Sequence, residues 1–257
     1  GLLRIDGKTV VRAGEEGANK LVIGSKAEVD QILAALKKSA YTVSEIKNSE
    51  RTRKPLAPFI TSTLQQEAAK AYGMSPKQTM SIAQKLYEGV EIGKEGPTGL
   101  ITYMRTDSTR IADEAIQAVR AYIAKAFGEN YLPAHPNKYG KKDGAQDAHE
   151  AIRPTSMDLT PEKVKRHVTI QQLKLYTLIW NRFVASQMPD AKFSVETVDI
   201  EAGKFVLRAS AQKILFDGFL RVYHEEKEAD ENGAHSWSEK LPELSEGEKL
   251  NLVDLQP

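Results

Sequence analysis

The sequence predicts an α+β, multidomain protein in which a mostly helical domain, containing a helix-turn-helix-like pair, is inserted into a β-rich domain. Near the N-terminus and beyond Pro189, side chains alternate apolar and polar with a period of two, as half-buried strands do. Between these ends, apolar residues recur at intervals of three and four. A chain of 257 residues with 40% apolar content also exceeds one small core, since domains run to roughly 100–200 residues. The expected domains are therefore residues 1–61 with 190–257, and residues 62–189.

In order, residues 8–12 and 41–47 read as strands around a helix on which Val29, Ile32, Leu33 and Leu36 share a face. Residues 48–58 hold Arg51, Arg53, Lys54, Pro55 and Pro58 without apolar period and read as a stiff linker, because proline fixes φ. Ser62 with Gln65 has capping-box spacing, and Leu64, Ala68, Ala69 and Tyr72 continue as a helical stripe. Ser75, Pro76 and Gln78 open the second helix of the pair, with Ile82, Leu86 and Tyr87 on its apolar side. A loop over 89–99 leads to residues 100–105, read as extended. Asp113 is the expected cap of a helix carrying Ile116, Val119, Ile123 and Phe127. Residues 131–148 read as a surface loop, Thr160 and Pro161 as a helix start, and residues 171–187 as a long helix. Residues 193–201, 204–210, 220–224 and 249–255 read as strands, with the polar stretch 225–238 as a flexible excursion. No internal repeat or low-complexity tract interrupts the pattern.

Composition narrows the function classes. No apolar run approaches the roughly 20 residues that span a bilayer, and the first residues lack a signal-peptide layout. With no cysteine, disulfides, zinc-thiolate sites and thiol nucleophiles are excluded, so covalent catalysis needs another side chain. The net charge of +1 does not announce a nucleic-acid binder. Its distribution is more suggestive: residues 62–189 hold 17 Lys and Arg against 13 Asp and Glu, and the remainder 19 against 22.

Two runs carry chemistry. In Leu100-Ile101-Thr102-Tyr103-Met104-Arg105-Thr106-Asp107-Ser108-Thr109-Arg110, an extended backbone puts Tyr103, Arg105 and Asp107 on one face and Thr102, Met104 and Thr106 on the other. Alone, such a tyrosine is an ordinary packing residue and such an Arg–Asp pair an ordinary surface pair. The second run is Ala148-His149-Glu150-Ala151-Ile152-Arg153-Pro154-Thr155. It begins like the zinc motif His-Glu-x-x-His, but Arg153 stands at the second histidine position, which rules that reading out.

Through both runs the sequence resembles the type IA DNA topoisomerases, and among them the bacterial topoisomerase I group. Further matches lie in residues 54–66, Gln84-Lys85-Leu86-Tyr87-Glu88, Leu178-Ile179-Trp180 and Leu215-Phe216-Asp217-Gly218. The resemblance implies that Tyr103 attacks a phosphodiester of single-stranded DNA, leaving a 5′-phosphotyrosine link and a free 3′ hydroxyl. One phosphodiester replaces another, so no nucleotide fuel is required and the break can be rejoined. The implied activity is relaxation of negatively supercoiled DNA through strand passage. A phenol with an ordinary pKa near about 10 is a weak nucleophile at neutral pH and needs help. By resemblance Arg105 holds the scissile phosphate, a task suited to a planar guanidinium and worth about 3–4 kcal/mol in comparable sites. His149 matches the family's active-site histidine; Thr102 and Asp107 are supporting residues, with Arg110 and Arg153 as weaker phosphate contacts.

The resemblance also implies an absent partner domain. The family binds Mg2+ in a Toprim domain marked by Asp-x-Asp-x-Asp, and this sequence contains no Asp-x-Asp. The expectation is the arch part of the enzyme, a piece of a longer chain without Toprim or DNA-gripping domains, binding no metal and inactive in cleavage by itself. The alternative is a natural short paralogue. The implied setting is a bacterial cytoplasm and its nucleoid, with the protein a monomer, and Pro55, Pro58 and Pro189 mark where the arch would bend. Among rivals, a tyrosine recombinase places His-x-x-Arg before its tyrosine, whereas here Tyr103 precedes His149 and the spacing is His-x-x-x-Arg. A duplex-specific helix-turn-helix regulator is the non-enzymatic alternative, distinguishable by tight binding to one duplex sequence.

Overall fold

Strands β1 (Leu2–Ile5), β2 (Lys8–Val11) and β3 (Lys20–Val22) come first, then helix α1 (Lys26–Leu36) and the long β4 (Tyr41–Arg53). Helices α2 (Thr61–Tyr72) and α3 (Pro76–Glu88) follow, then the short β5 (Val90–Glu91) and β6 (Pro97–Thr98), and α4 (Asp113–Phe127). The remainder comprises α5 (Pro161–Val164), α6 (Ile170–Ser186), β7 (Ala191–Ala202), β8 (Phe205–Phe216) and β9 (Lys249–Leu250), with 3-10 turns at Glu129–Tyr131 and Gly218–Arg221. The computed structural model describes residues 1–15, 17–93, 96–139, 149–224 and 240–256. They divide into two compact units, one of Gly1–Arg51, Phe193–Leu215 and Ala229–Pro257, the other of Thr52–Lys192 and Phe216–Glu228.

The first unit is organised by a mixed sheet in the order β3-β2-β1-β8-β7-β4-β9. β1 pairs antiparallel with β2 and β8, while β2 and β3 run parallel. Apolar residues of α1 cover it: Leu36 is buried with Ile5, Tyr41, Ala202 and Phe205, and Ile32 and Ala35 pack against them. Tyr41 keeps its polar end satisfied by donating its hydroxyl to Leu36 O at 2.9 Å, which also tidies the end of α1. Asp199 on β7 is only 5% exposed, and Arg208 on β8 grips its two oxygens at 2.6 and 2.7 Å.

In the second unit α6 is the centre. From Leu175 to Ser186 it is buried nearly all round, as a helix packed by neighbours on several sides must be. α2, α3 and α5 lie against it. Ser75 caps α3 by accepting from Gln78 N, Pro76 takes the first helical position, and Ile82, Ala83 and Leu86 are buried. Arg182 is buried yet satisfied, donating to Ala57 O at 2.6 Å and to the Tyr223 hydroxyl at 3.2 Å, with its guanidinium over the rings of Phe59 and Tyr223.

Several sequence expectations change. The linker over 48–58 is strand as far as Arg53; its side chains are exposed in succession, so no apolar alternation betrayed it. Pro55 and Pro58 are buried, and the Pro55 carbonyl accepts from Tyr139. Helix α2 starts at Thr61 rather than after Ser62: Ile60 occupies the cap and its N–H donates to Thr63 Oγ1. Ala112 holds the cap position of α4, so Asp113 sits in the first turn with Glu114, where carboxylates favour the positive helix end. Tyr87 is 41% exposed instead of lying in the apolar face. Residues 220–224 do not form a strand, because Gly218 turns the chain into a 3-10 helix; its φ of +50° and its Cα hydrogens facing Asp190 O exclude a side chain. Only Lys249–Leu250 of the last expected strand pairs. The excursion over 225–238 and the second half of the loop over 131–148 lie outside the described residues.

Two pH dependences follow. The Arg208 guanidinium holds the Asp199 carboxyl below the usual carboxylate range, so this pair stabilises the fold above the unfolded pKa and the contribution is lost as pH falls through the lower folded value. Asp199→Asn is expected to lower stability by about 2 kcal/mol at neutral pH, less than for a wholly buried pair because Arg208 still meets solvent. Urea unfolding at neutral and acidic pH reads this, and the loss should shrink on acidification. At the alkaline end, burial pushes the Tyr139 and Tyr223 phenols up to about 12. Their contribution is complete below the ordinary phenol pKa of about 10 and is lost as pH rises through the folded values. Circular dichroism with phenolate absorbance should show the second unit weakening in that window, and less so in Tyr139→Phe.

Candidate active site

Three short stretches far apart in sequence are sewn together around residues 151–155. On one side Ile152 N donates to Phe59 O at 2.8 Å. On the other, Thr102 N donates to Arg153 O at 2.9 Å and Thr155 N to Leu100 O at 3.1 Å. The Thr102 hydroxyl donates to Ala151 O at 2.7 Å and accepts from Arg153 N at 3.0 Å. Below this seam Leu100, Ile101, Met104, Ala151 and Ile152 are buried. The backbone next to Tyr103 is thus fixed by both a hydrogen-bonded seam and an apolar floor.

Residues 100–105, expected to be extended, join no regular strand; Ile101 bridges Pro154, and the chain bends after it. The amides of the run are shared among separate segments, Leu100 N donating to Leu86 O, Thr102 N to Arg153 O and Thr106 N to the Thr61 hydroxyl, so no continuous ladder forms. Beyond it Thr106 Oγ1 accepts from Ser108 N and Ser108 Oγ from Arg110 N. The two-faced arrangement nonetheless survives: Met104, Thr106 and Ser108 are buried, while Tyr103, Arg105 and Asp107 are exposed.

Tyr103 is 41% exposed, its ring 6.4 Å from that of His149 and, edge-on, 5.4 Å from that of Tyr87. Arg105, Asp107 and His149 line one cleft of about 470 Å3 with Thr61, Ser62 and Gln65. Among the described residues the side chains of Tyr103, Arg105, Asp107 and His149 make no hydrogen bond or ion pair with one another, so Asp107 is not seen orienting Arg105 or His149. Arg153 is differently placed: Glu150 Oε2 accepts from its Nε and Nη2, and Pro154 O from its Nη1. Arg110 lies 3.7 Å from the other Glu150 oxygen and is half exposed. Geometry therefore gathers Tyr103, Arg105, Asp107 and His149, uses Thr102 and Arg153 to tie the seam, and leaves Arg110 at the edge. Among the described residues no group of three or more His, Asp or Glu side chains is arranged to hold a metal ion.

A family model described as DNA topoisomerase matches residues 4–257. The chain belongs to the type IA DNA topoisomerase family. The structure of full-length topoisomerase I from Thermotoga maritima is similar at 36% identity with a TM-score of 0.70 over 91% of this chain. This type IA chain spans 36% of the length of that relative. The α+β fold class expected from sequence is borne out, as is the family resemblance.

Two residues at the candidate site carry no signal in the sequence. Tyr87 was placed with the core of α3, and Thr61 was not singled out; their contacts with residues 103–106 bridge long sequence separations that leave no periodic trace. Gly99 explains how α3 brings Tyr87 beside Tyr103: a Cβ there would lie 2.7 Å from Tyr87 O, and next to it Leu100 N donates to Leu86 O at 2.7 Å. Gly99→Ala is expected to destabilise the second unit by about 1–3 kcal/mol, measured by thermal unfolding, because backbone rather than a flexible side chain must yield.

Proposed function

We propose that the chain is the tyrosine-bearing arch part of a topoisomerase that relaxes negatively supercoiled DNA without ATP, by transient cleavage of one strand. Residues 62–189 form the tyrosine domain in this reading, and 1–61 with 190–257 the arch. The observation that carries it is the exposure of Tyr103, Arg105 and Asp107 beside His149, on a backbone whose alternate residues are buried.

In the proposed step the Tyr103 hydroxyl oxygen bonds to phosphorus, and the bond between phosphorus and the 3′ oxygen breaks. The phenol gives up its proton and the departing 3′ oxygen gains one. Religation is the reverse, attack by the 3′ hydroxyl on the phosphotyrosine, so free energy is conserved in the ester. Arg105 neutralises charge on the non-bridging oxygens, and its guanidinium has no competing partner among the described residues. His149 hydrogen-bonds a neighbouring phosphate or an acid of the network, with Thr102 and Asp107 in support and Arg110 and Arg153 as further contacts. Mg2+ belongs to the Toprim domain in this reading, since among the described residues no cluster of His, Asp or Glu is arranged to hold it. The whole enzyme acts as a monomer on single-stranded or negatively supercoiled DNA of a bacterial nucleoid.

Because proton transfer and metal binding would need groups outside this chain, the chain alone is expected to bind single-stranded DNA weakly, with salt dependence and little sequence preference, and not to cleave it. Incubating it with a labelled single strand and Mg2+ tests this. In the full-length enzyme, Tyr103→Phe should abolish the denaturation-resistant protein–DNA adduct while leaving non-covalent binding within about threefold, since only one hydroxyl is lost. An adduct persisting in Tyr103→Phe would defeat the assignment.

A further inference from the structure

Arg105 poses a positioning problem. Its side chain is exposed and makes no hydrogen bond or ion pair among the described residues, so nothing but its backbone holds the guanidinium in the cleft. Both neighbours of Arg105 are tied to a single residue, Thr61, the first of α2. The Thr61 hydroxyl accepts from Thr106 N at 2.9 Å. Its own proton faces Met104 O at 2.8 Å and Thr106 O at 3.0 Å, and Thr61 N donates to Thr106 O at 2.9 Å. Met104 and Thr106 are themselves buried and Thr61 is half-buried, so these bonds are partly shielded from water.

We infer that Thr61 is the positioning residue for Arg105, clamping the carbonyl before it and the amide after it so that the guanidinium is held in the cleft. This rests on the proposed role of Arg105 at the scissile phosphate. A hydroxyl has one proton and two acceptor sites. In Thr61 the proton is already committed to the carbonyls and one lone pair to Thr106 N, so the group acts on the chain rather than on a ligand. Valine has nearly the same shape but neither function, and would leave Thr106 N without its acceptor. Serine keeps both. The clamp also couples α2 directly to the tyrosine run, adding to the restraint from its seam with residues 151–155 and from Leu100 N on Leu86 O.

The test uses the full-length enzyme, measuring single-turnover cleavage of a single-stranded oligonucleotide, non-covalent affinity by fluorescence anisotropy, and the thermal midpoint. Thr61→Ser is expected to cleave within about twofold of the unaltered enzyme. Thr61→Val should lose about 100-fold in cleavage rate, the scale of one misplaced charge-stabilising donor, with affinity changed far less. The decisive measurement is the double variant: in an Arg105→Gln background, Thr61→Val should cost under about threefold more, because a residue acting through Arg105 has nothing left to position. Equal losses in both backgrounds, or near-normal cleavage by Thr61→Val, would overturn the inference while leaving the role of Arg105 intact. Normal cleavage by Arg105→Gln alone would remove that role and the inference with it. Should Thr61→Val fail to fold, Thr61→Ala with and without Arg105→Gln provides the same cycle.

Discussion

The candidate site depends on the threading of residues 151–155 between Phe59 and the stretch from Leu100 to Thr102. Each of these segments is too short and too irregular to hold a conformation by itself, and none is a regular strand. Joined, they satisfy one another's backbone groups over a floor of fully buried Leu100, Ile101, Ala151 and Ile152. An amide left unpaired in that setting would cost about 1–3 kcal/mol, so the seam resists sliding or fraying. Tyr103 emerges from a backbone fixed on either side: Thr102 is stitched to Ala151 and Arg153, and Met104 to Thr61. The same seam brings His149, two residues before Ala151, alongside the tyrosine ring.

That arrangement separates stability from chemistry. Two arginines that hold the second unit together have their donors taken up, Arg182 buried between Ala57 and Tyr223 and Arg153 half-buried on Glu150. Tyr103, Arg105, Asp107 and His149 are the opposite, exposed and without a hydrogen-bond or ion-pair partner among the described residues. Arginine illustrates the contrast, since the same side chain serves as a clamp at 153 and 182 and stands free at 105. Sequence proximity did not distinguish them; contact does, since the Glu150 carboxylate takes up the fork of donors of Arg153 whereas Asp107, nearer in sequence to Arg105, makes no ion pair with it.

What was legible in the sequence followed from periodicity and from local capping. Ser75 with Pro76, Thr160 with Pro161 and the apolar stripe of α1 have causes within a few residues, and they were read correctly. Elements with distant causes were misread. β4 runs on through residues exposed in succession, held as part of a sheet whose pairing no local pattern encodes. The 3-10 turn at Gly218 arises because the chain must pass against Asp190 O, a contact invisible until both are placed. The tyrosine run lies between these cases. Its alternation of exposure was legible, but its lack of strand pairing was not, because its amides bond to Leu86, Arg153 and Thr61, three partners distant in sequence.

The unpaired state of Tyr103, Arg105, Asp107 and His149 also bears on how such a site would work. A guanidinium already locked to a carboxylate would have to break that bond before meeting phosphate, and the cost would be charged against binding. A free guanidinium avoids that loss but risks disorder, which erodes the advantage of a prepositioned donor. Fixing the backbone around it resolves the conflict, because the side chain keeps its donors open while its root is immobile. Buried hydroxyls suit this task better than charged side chains would. Threonine can bond to amide and carbonyl at once without introducing a charge that competes for the phosphate, and this is the chemistry found at Thr61 and Thr102 around the exposed face.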